Sequence, residues 1–414
     1  MRILDLIMTT LEGFLLAYTV YTIGVGLLGL KRRPGPPEAA PSRRFALITA
    51  AHNEEAVIAP HIESLLQIDY PREMFDIYIL CDNCTDRTLA IARRYEAQGV
   101  RVLERRDPLR RGKGFALEWG FAQVLKEPCP YDAVVVFDAD NLVSPNILRV
   151  MNNHLAAGAK AVQAYLDAKN PWDSWISACY SVAYWSTNRV WQLARHHLGL
   201  SAALGGTGMC LDVQTLKRLG WGTATLTEDL EYTAKLVLHG LRVEWAHDAR
   251  VYDEKPLTLT QTFRQRTRWL AGHWNVALRY VGPLLERFLR TGCWRYADTA
   301  IYLLQPFLIV LGAGVGVVAI ANAAMGGELY TSLIHRIPPD LGAALAMGVY
   351  CYPMLGLIAD RAPLRSYLYY LSYLLFGLTW IPIAFIGFFR RNDTHWAHTQ
   401  HTRAIRMSEL GSAR

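Results

Sequence analysis

Ala133-Val134-Val135-Val136-Phe137-Asp138-Ala139-Asp140 is the stretch whose reading decides the fold. An unbroken apolar run that stops at two carboxylates reads as a strand buried on both faces, the kind that parallel sheets use. The same pattern recurs upstream. Phe45 to Ala51 is an apolar run ending in His52-Asn53-Glu54-Glu55, and Asp76 to Cys81 is another, ending in Asp82-Asn83-Cys84-Thr85-Asp86. Val100 to Glu104 and Lys160 to Ala164 complete five expected strands. Helical stretches separate them, running to about Gln67, to Gly99, and from Gly112-Lys113-Gly114 to about Lys126. This alternation predicts an α/β fold, a mostly parallel sheet with helices on both faces. Ligands of such sheets lie beyond the carboxyl ends of the strands. There the chain collects Asn53 and Glu54, Asp82 and Asp86, Lys113, and Asp138 with Asp140.

Downstream, Trp172 to His197 is a long aromatic-rich helical stretch, and the glycines of Leu204 to Met209 allow a backbone to approach a ligand or another strand closely. Thr227-Glu228-Asp229 opens a helix that ends at Gly240, and its plain reading is an N-cap followed by first-turn acids. Leu241, Val243 and Trp245 alternate as a strand. Thr258 to Tyr280 mixes large apolar residues with arginines, as an amphipathic helix at an interface does. It carries Gln265-Arg266-Thr267-Arg268-Trp269, where Arg and Trp alone would suit a membrane-surface anchor.

Hydrophobic residues make up 52% of the 414, more than a soluble enzyme needs. The excess sits at the two ends. Gly13 to Leu30, Ala297 to Ala323, Leu341 to Ala359 and Tyr367 to Phe389 are each long enough to span a bilayer. Lys31, Arg32, Arg33, Arg43 and Arg44 place the middle of the chain in the cytosol, and Arg390, Arg391, Arg403 and Arg406 ask the same of the tail. Three spans between two cytosolic segments conflict in parity, and Leu341 to Ala359, interrupted by Pro353, is the expected odd element. The seven cysteines are scattered, which excludes a disulfide framework and fits a reducing compartment; Cys81 and Cys84 have metal spacing but no second pair. A net charge of +7 suits anionic lipid and an anionic substrate and is too dispersed for nucleic acid.

Two carboxylates at the mouth of a buried strand suit Mg²⁺ or Mn²⁺ bound with a diphosphate. Lys113 and Arg268 can screen the same anion, and Asp229 is then the candidate general base. Taken in order, His52-Asn53-Glu54-Glu55, Asp82, Gly112-Lys113-Gly114, Asp138-Ala139-Asp140, Thr227-Glu228-Asp229 and Gln265-Arg266-Thr267-Arg268-Trp269 resemble the motifs of membrane-embedded family 2 glycosyltransferases. Cellulose, chitin, hyaluronan and poly-N-acetylglucosamine synthases belong to that group. The resemblance implies a GT-A-type, Rossmann-like cytosolic domain flanked by transmembrane helices. It further implies that Asn53, Glu54, Asp82 and Lys113 hold the nucleotide, with Asp138 facing it and Asp140, with Asp138, at the metal. Gln265 and Arg268 would clamp the diphosphate, Asp229 would deprotonate the acceptor with Glu228 shaping the pocket, and Thr227 and Trp269 would meet the acceptor.

The expected organisation is a transmembrane helix in 1–33, a basic Pro-rich linker in 34–44, the GT-A domain in 45–255, interface helices in 256–295, transmembrane helices in 296–390 and a cytosolic tail in 391–414. The tail histidines His395, His398 and His401 are read as part of a cytosolic cap on the membrane helices, with a metal site as the alternative. The expected function is inverting transfer from UDP-GlcNAc or UDP-glucose to a growing β-linked polysaccharide at the inner (plasma) membrane, with a polymer channel needing either all of these helices or a second chain, as an export subunit or homo-oligomer. The alternatives are a single addition to a lipid and a non-catalytic, nucleotide-binding component of an export complex.

Overall fold

The computed structural model describes residues 3–126, 130–223, 225–333, 337–393 and 401–410. Elements follow in chain order: α1 (Ile3–Gly29), β1 (Phe45–Ala51), α2 (Ile58–Leu66), β2 (Phe75–Asp82), α3 (Thr88–Arg93), β3 (Val100–Arg105), α4 (Lys113–Val124), β4 (Ala133–Asp138), β5 (Leu142–Val143), α5 (Ile147–Ala156), β6 (Ala161–Ala168) and α6 (Trp175–Thr187). Then come α7 (Ala194–His197), β7 (Met209–Asp212), α8 (Val213–Leu219), α9 (Glu228–Leu238), β8 (Val243–Asp253), α10 (Leu259–Thr291), α11 (Trp294–Leu303), α12 (Gln305–Ala324), α13 (Pro339–Ala359), α14 (Arg365–Leu378) and α15 (Trp380–Phe389).

Eight strands form one sheet in the order β3-β2-β1-β4-β7-β6-β8-β5. The four strands β3, β2, β1 and β4 are parallel, so the turns after β1, β2 and β4 open on one edge. The strand after the glycines, β7, was not foreseen: it runs antiparallel between β4 and β6 and reverses the sheet. Two apolar cores cover the faces, one around Phe45, Ile62, Phe137 and Met151, the other around Tyr78, Val136, Trp185 and Trp245.

α10 starts at a capping box in which Thr258 Oγ1 accepts from Gln261 N, and it crosses the open edge of the sheet as the amphipathic helix its residues predict. Four apolar stretches are long enough to cross a membrane: Ile3–Gly29, Gln305–Ala324, Asp340–Ala359 and Arg365–Phe389. Three of them join the sheet domain to one distant loop. Near its start α1 meets that loop, where Glu12 accepts from Tyr330 Oη and Ser332 Oγ, both at 2.9 Å. Its far end meets the domain, where Arg189 donates to Leu30 O. α12 leaves the domain and ends where Asn322 Nδ2 donates to Tyr330 O. α13 returns, and the following Asp360 is held by Arg189 at 3.0 Å and His247 at 3.2 Å.

The segment α14–α15 has both ends on the domain. Arg365 lies over the Trp172 ring at one end, and Asn275 Nδ2 of α10 donates to Arg391 O at the other. At the break between the two helices Arg266 reaches across from α10. It donates to Thr379 Oγ1 and Tyr180 Oη and sits against the rings of Tyr180, Phe376 and Trp380. This cage explains how a guanidinium can be 1% exposed in apolar surroundings.

Candidate active site

The turns at the sheet edge, the start of α9 and one face of α10 enclose a cavity of about 1460 Å³. Glu54, Asp82, Lys113, Asp138, Asp140, Thr227, Glu228, Asp229, Gln265, Arg268 and Trp269 all line it. Asn53 does not. Its backbone is left-handed (φ 55°), and its Oδ1 accepts from Thr85 N at 2.8 Å, so it pins the β1 turn to the β2 turn from behind.

At the sheet end, the carboxyl groups are met by cations. Asp82 accepts from Arg105 at 2.5 Å and from Asn83 at 2.9 Å. Burial raises the Asp82 pKa, and the Arg105 guanidinium only partly offsets that. The Lys113 ammonium bonds Asp138 and the Gly206 carbonyl and lies 3.9 Å from Glu228. Burial opposes its charge, but the Asp138 and Glu228 carboxylates win and raise its pKa. Asp140 accepts from Asn141 Nδ2 and from Glu254 N. Burial disfavours its charge too, yet His401 and Lys169 outweigh it and hold the Asp140 carboxyl below the usual range.

His401 was placed elsewhere by the sequence reading. Rather than capping the membrane helices, the described part of the tail lies on the sheet domain. His401 lines the cavity and lies 3.1 Å from both oxygens of Glu54, Glu254 accepts from Thr402 N and Arg403 N, and Leu410 packs on Leu142 and Tyr252. Burial works against the imidazolium, but Asp140 and Glu54 push its pKa up to about 10. His395 and His398 lie outside the described residues. Tail and glutamates are far apart in sequence, so no local signal links them.

The base candidate stands differently. Asp229 lies in the first turn of α9, with Leu230 N donating to its Oδ1 at 2.8 Å. Burial and the neighbouring Glu228 raise its pKa to about 7. Gly206 (φ +82°) runs beside it, and a Cβ there would stand 3.3 Å from Asp229 Oδ2. Here the glycine both permits the backbone turn and leaves room at the carboxylate. Thr227 precedes the helix but makes no capping bond, and its Oγ1 has no partner among the described residues. The plain N-cap reading of this motif therefore does not hold for Thr227.

α10 separates the two arginines of its motif. Arg266 turns inward to the cage described above, while Arg268, Trp269 and Gln265 turn to the cavity, Gln265 accepting from Tyr180 Oη at 3.2 Å. Beyond Trp269 the lining becomes apolar. One face of α12, with Ile309, Gly312, Ala313, Gly316, Val317 and Ile320, forms the far wall opposite Gly377, Trp380 and Ile381. Val317 and Ile320 are 67% and 72% exposed, so this wall opens sideways onto the outside of the helices.

The family model described as "Glycosyltransferase like family 2" matches residues 41–272. The chain belongs to glycosyltransferase family 2. It is 32% identical over 288 residues to the beta-monoglucosyldiacylglycerol synthase of Synechocystis sp., covering 67% of this chain and 57% of that protein. To the poly-beta-1,6-N-acetyl-D-glucosamine synthase of Staphylococcus epidermidis it is 24% identical over 246 residues, covering 58% of this chain and 57% of that protein. The chain thus spans under two thirds of the length of these relatives. Among solved structures, the mannosyltransferase PcManGT from Pyrobaculum calidifontis, in complex with GDP-Man and Mn²⁺, superposes with a TM-score of 0.58 at 19% identity, covering 92% of this chain and 99% of that one. This likeness establishes a GT-A-like α/β fold for the chain, and four apolar helices long enough to cross a membrane flank that domain.

Proposed function

We propose that the chain is an inverting family 2 transferase that moves a hexose from a UDP-sugar to a hydroxyl of a membrane lipid. The observation that carries this reading is the continuity of one cavity from the Asp138–Asp140 turn, past Asp229, to the sideways-opening apolar face of α12. A growing polysaccharide is polar along its length and gains nothing from such a wall; an acyl chain gains from every apolar contact. The sequence favoured a polymer over a lipid; the open apolar wall is what supports putting the lipid first.

In this reading Asp82 receives the uracil, and Lys113, Gln265 and Arg268 face the diphosphate. Asp138 and Asp140 would hold Mg²⁺ or Mn²⁺. Their hard oxygens suit either ion, and among the described residues no three His, Cys, Asp or Glu side chains form a complete site, so nucleotide oxygens would complete the sphere. When bound, the cation spreads the charge of the leaving diphosphate. Asp229 takes the proton of the acceptor hydroxyl. The freed oxygen bonds to the anomeric carbon from the face opposite the nucleotide, and the bond from that carbon to the UDP oxygen breaks, inverting α to β. A base with pKa about 7 is ionised often enough, and basic enough, to do this near neutral pH. Glu228 shapes the pocket beside Lys113, and Thr227 and Trp269 meet the acceptor.

The topology follows the same reading: α1, α12 and α13 cross the inner membrane, and α14–α15 lies against its cytosolic face. The domain and the tail then share the cytosolic side, as the arginines at both places require. The name of the Synechocystis relative makes glucose and diacylglycerol the first pair to try. With radiolabelled UDP-glucose and a panel of lipid acceptors, a single lipid-soluble product is expected. A ladder of increasing size would instead establish the polymer.

A further inference from the structure

We infer that Gln305, with Tyr302 beside it, reads the linkage of the acceptor lipid: the two side chains donate hydrogen bonds to ester carbonyls just below the hydroxyl that reacts, so the acceptor is an acyl-ester lipid rather than an alkyl-ether one. The inference rests on the lipid-acceptor reading and deepens it.

α12 presents one stripe to the cavity. Gln305, Ile309, Gly312, Gly316 and Ile320 recur along it at three- and four-residue spacing and all line the cavity. Of the α12 residues in the lining, only Gln305 is polar, and it is the first residue of the span. The first residue of a span stands where the hydrocarbon begins, which in a bilayer is the level between headgroups and chains. Gln305 is exposed there, and its amide makes no hydrogen bond among the described residues. An amide at that level with no partner in the chain is satisfied by the polar group that a lipid brings to it.

Tyr302 lies three residues earlier, in the last turn of α11. Its ring is fixed between the Trp191 indole, at 4.3 Å between centroids, and the His273 imidazole, at 5.6 Å. The residue is partly exposed and lines the cavity, and its hydroxyl has no hydrogen-bond partner among the described residues. Leu230, next to Asp229, and Leu303 belong to one apolar cluster, so this junction lies on the Asp229 side of the apolar wall. A lipid with its chains on α12 and its hydroxyl at Asp229 sets its linkage oxygens between the two. Those oxygens carry no hydrogen and only accept, whereas the amide N–H and the phenol O–H donate. An ester carbonyl stands off the chain and accepts more strongly than an ether oxygen.

The test uses the full chain in detergent micelles with UDP-glucose and two matched acceptors, 1,2-dimyristoylglycerol and 1,2-di-O-tetradecylglycerol. They share chain length and the free primary hydroxyl and differ in the two carbonyls. The expected ratio of kcat/KM, ester over ether, is about tenfold, as suits two neutral hydrogen bonds that replace bonds to water. In Gln305→Leu or Tyr302→Phe it falls to about threefold, and in the double variant to within twofold of one. Gln305→Glu keeps the size but not the donor, and its ratio falls as in Gln305→Leu. General damage lowers both lipids together and leaves the ratio at its wild-type value. UDP affinity, measured separately, reports whether each variant is folded, and if Tyr302→Phe is not, the wild-type ratio and the two Gln305 variants decide. A wild-type ratio near one, or a ratio unchanged in Gln305→Leu, overturns this inference while leaving lipid transfer standing. No transfer to either lipid, with sugar appearing in polymer, overturns the reading beneath it.

Discussion

The two ends of the cavity are built on different principles. At the sheet end, strand-terminal carboxylates meet cations from distant elements: Asp82 with Arg105, Asp138 with Lys113, Glu54 with His401. At the helix end, Thr227 Oγ1 and His273 Nε2 have no partner among the described residues, and the wall beyond them is apolar and laterally open. A nucleotide diphosphate must exchange ion pairs already in place, which selects for a charged ligand of matching pattern. In the proposed reading an acceptor meets apolar surface beyond Trp269, which selects for a ligand with long chains.

The largest effect expected from this contrast is at the junction. Asp229→Asn, which keeps shape and removes the base, should lower kcat by about 10³-fold or more while UDP affinity stays within a fewfold, as read by turnover and calorimetry. Asp140→Ala should lower turnover by roughly 100-fold and abolish the dependence of UDP binding on Mg²⁺ or Mn²⁺, since its damage is confined to the sheet end. At the opposite end, Gly316 has open space where a Cβ would stand. Gly316→Leu should therefore fold normally and fill the far wall, cutting transfer to hexadecyl acceptors about tenfold while sparing octyl ones.

The pH profile sharpens the comparison further. Asp229 must be ionised to act, and burial with Glu228 raises its pKa to about 7. The rate should rise with pH through that value with the slope of one proton, about tenfold between pH 6 and 8. Asp229→Asn should lack that limb. The smallest effect is at the tail: Arg403 pairs with Asp173 at 3.3 Å with both side chains partly exposed. Arg403→Ala should change stability by no more than about 1 kcal/mol in a denaturant titration.

How much of this was legible in sequence depended on whether the signal was local. The β1 strand and its turn could be read outright, because an apolar run and its polar stop carry their own period. The short antiparallel β7 could not, since four residues behind a glycine turn have too little pattern to specify direction. The two arginines of the α10 motif were equivalent by composition. Helix phase alone sends Arg266 into its aromatic cage and Arg268 to the cavity. Asn53 was expected at the nucleotide, but its side chain is spent on the neighbouring turn. His401, His273 and the fold-back of α14–α15 depend on contacts between distant segments, for which no window of the sequence has a signature. The motif order nevertheless brought Asp82, Asp140, Asp229 and Arg268 to one cavity.

The central claim is that donor and lipid meet in that one cavity, with the chain of the lipid on α12. An acceptor analogue with a photoreactive diazirine midway along its alkyl chain, bound with UDP present and mapped by mass spectrometry, tests it most directly. The account predicts labelling between Gly312 and Ile320 or at Trp380 and Ile381, suppressed by unlabelled acceptor. Labelling confined to the outward residues Leu368, Leu371 and Leu375 of α14, unaffected by competitor, would contradict it.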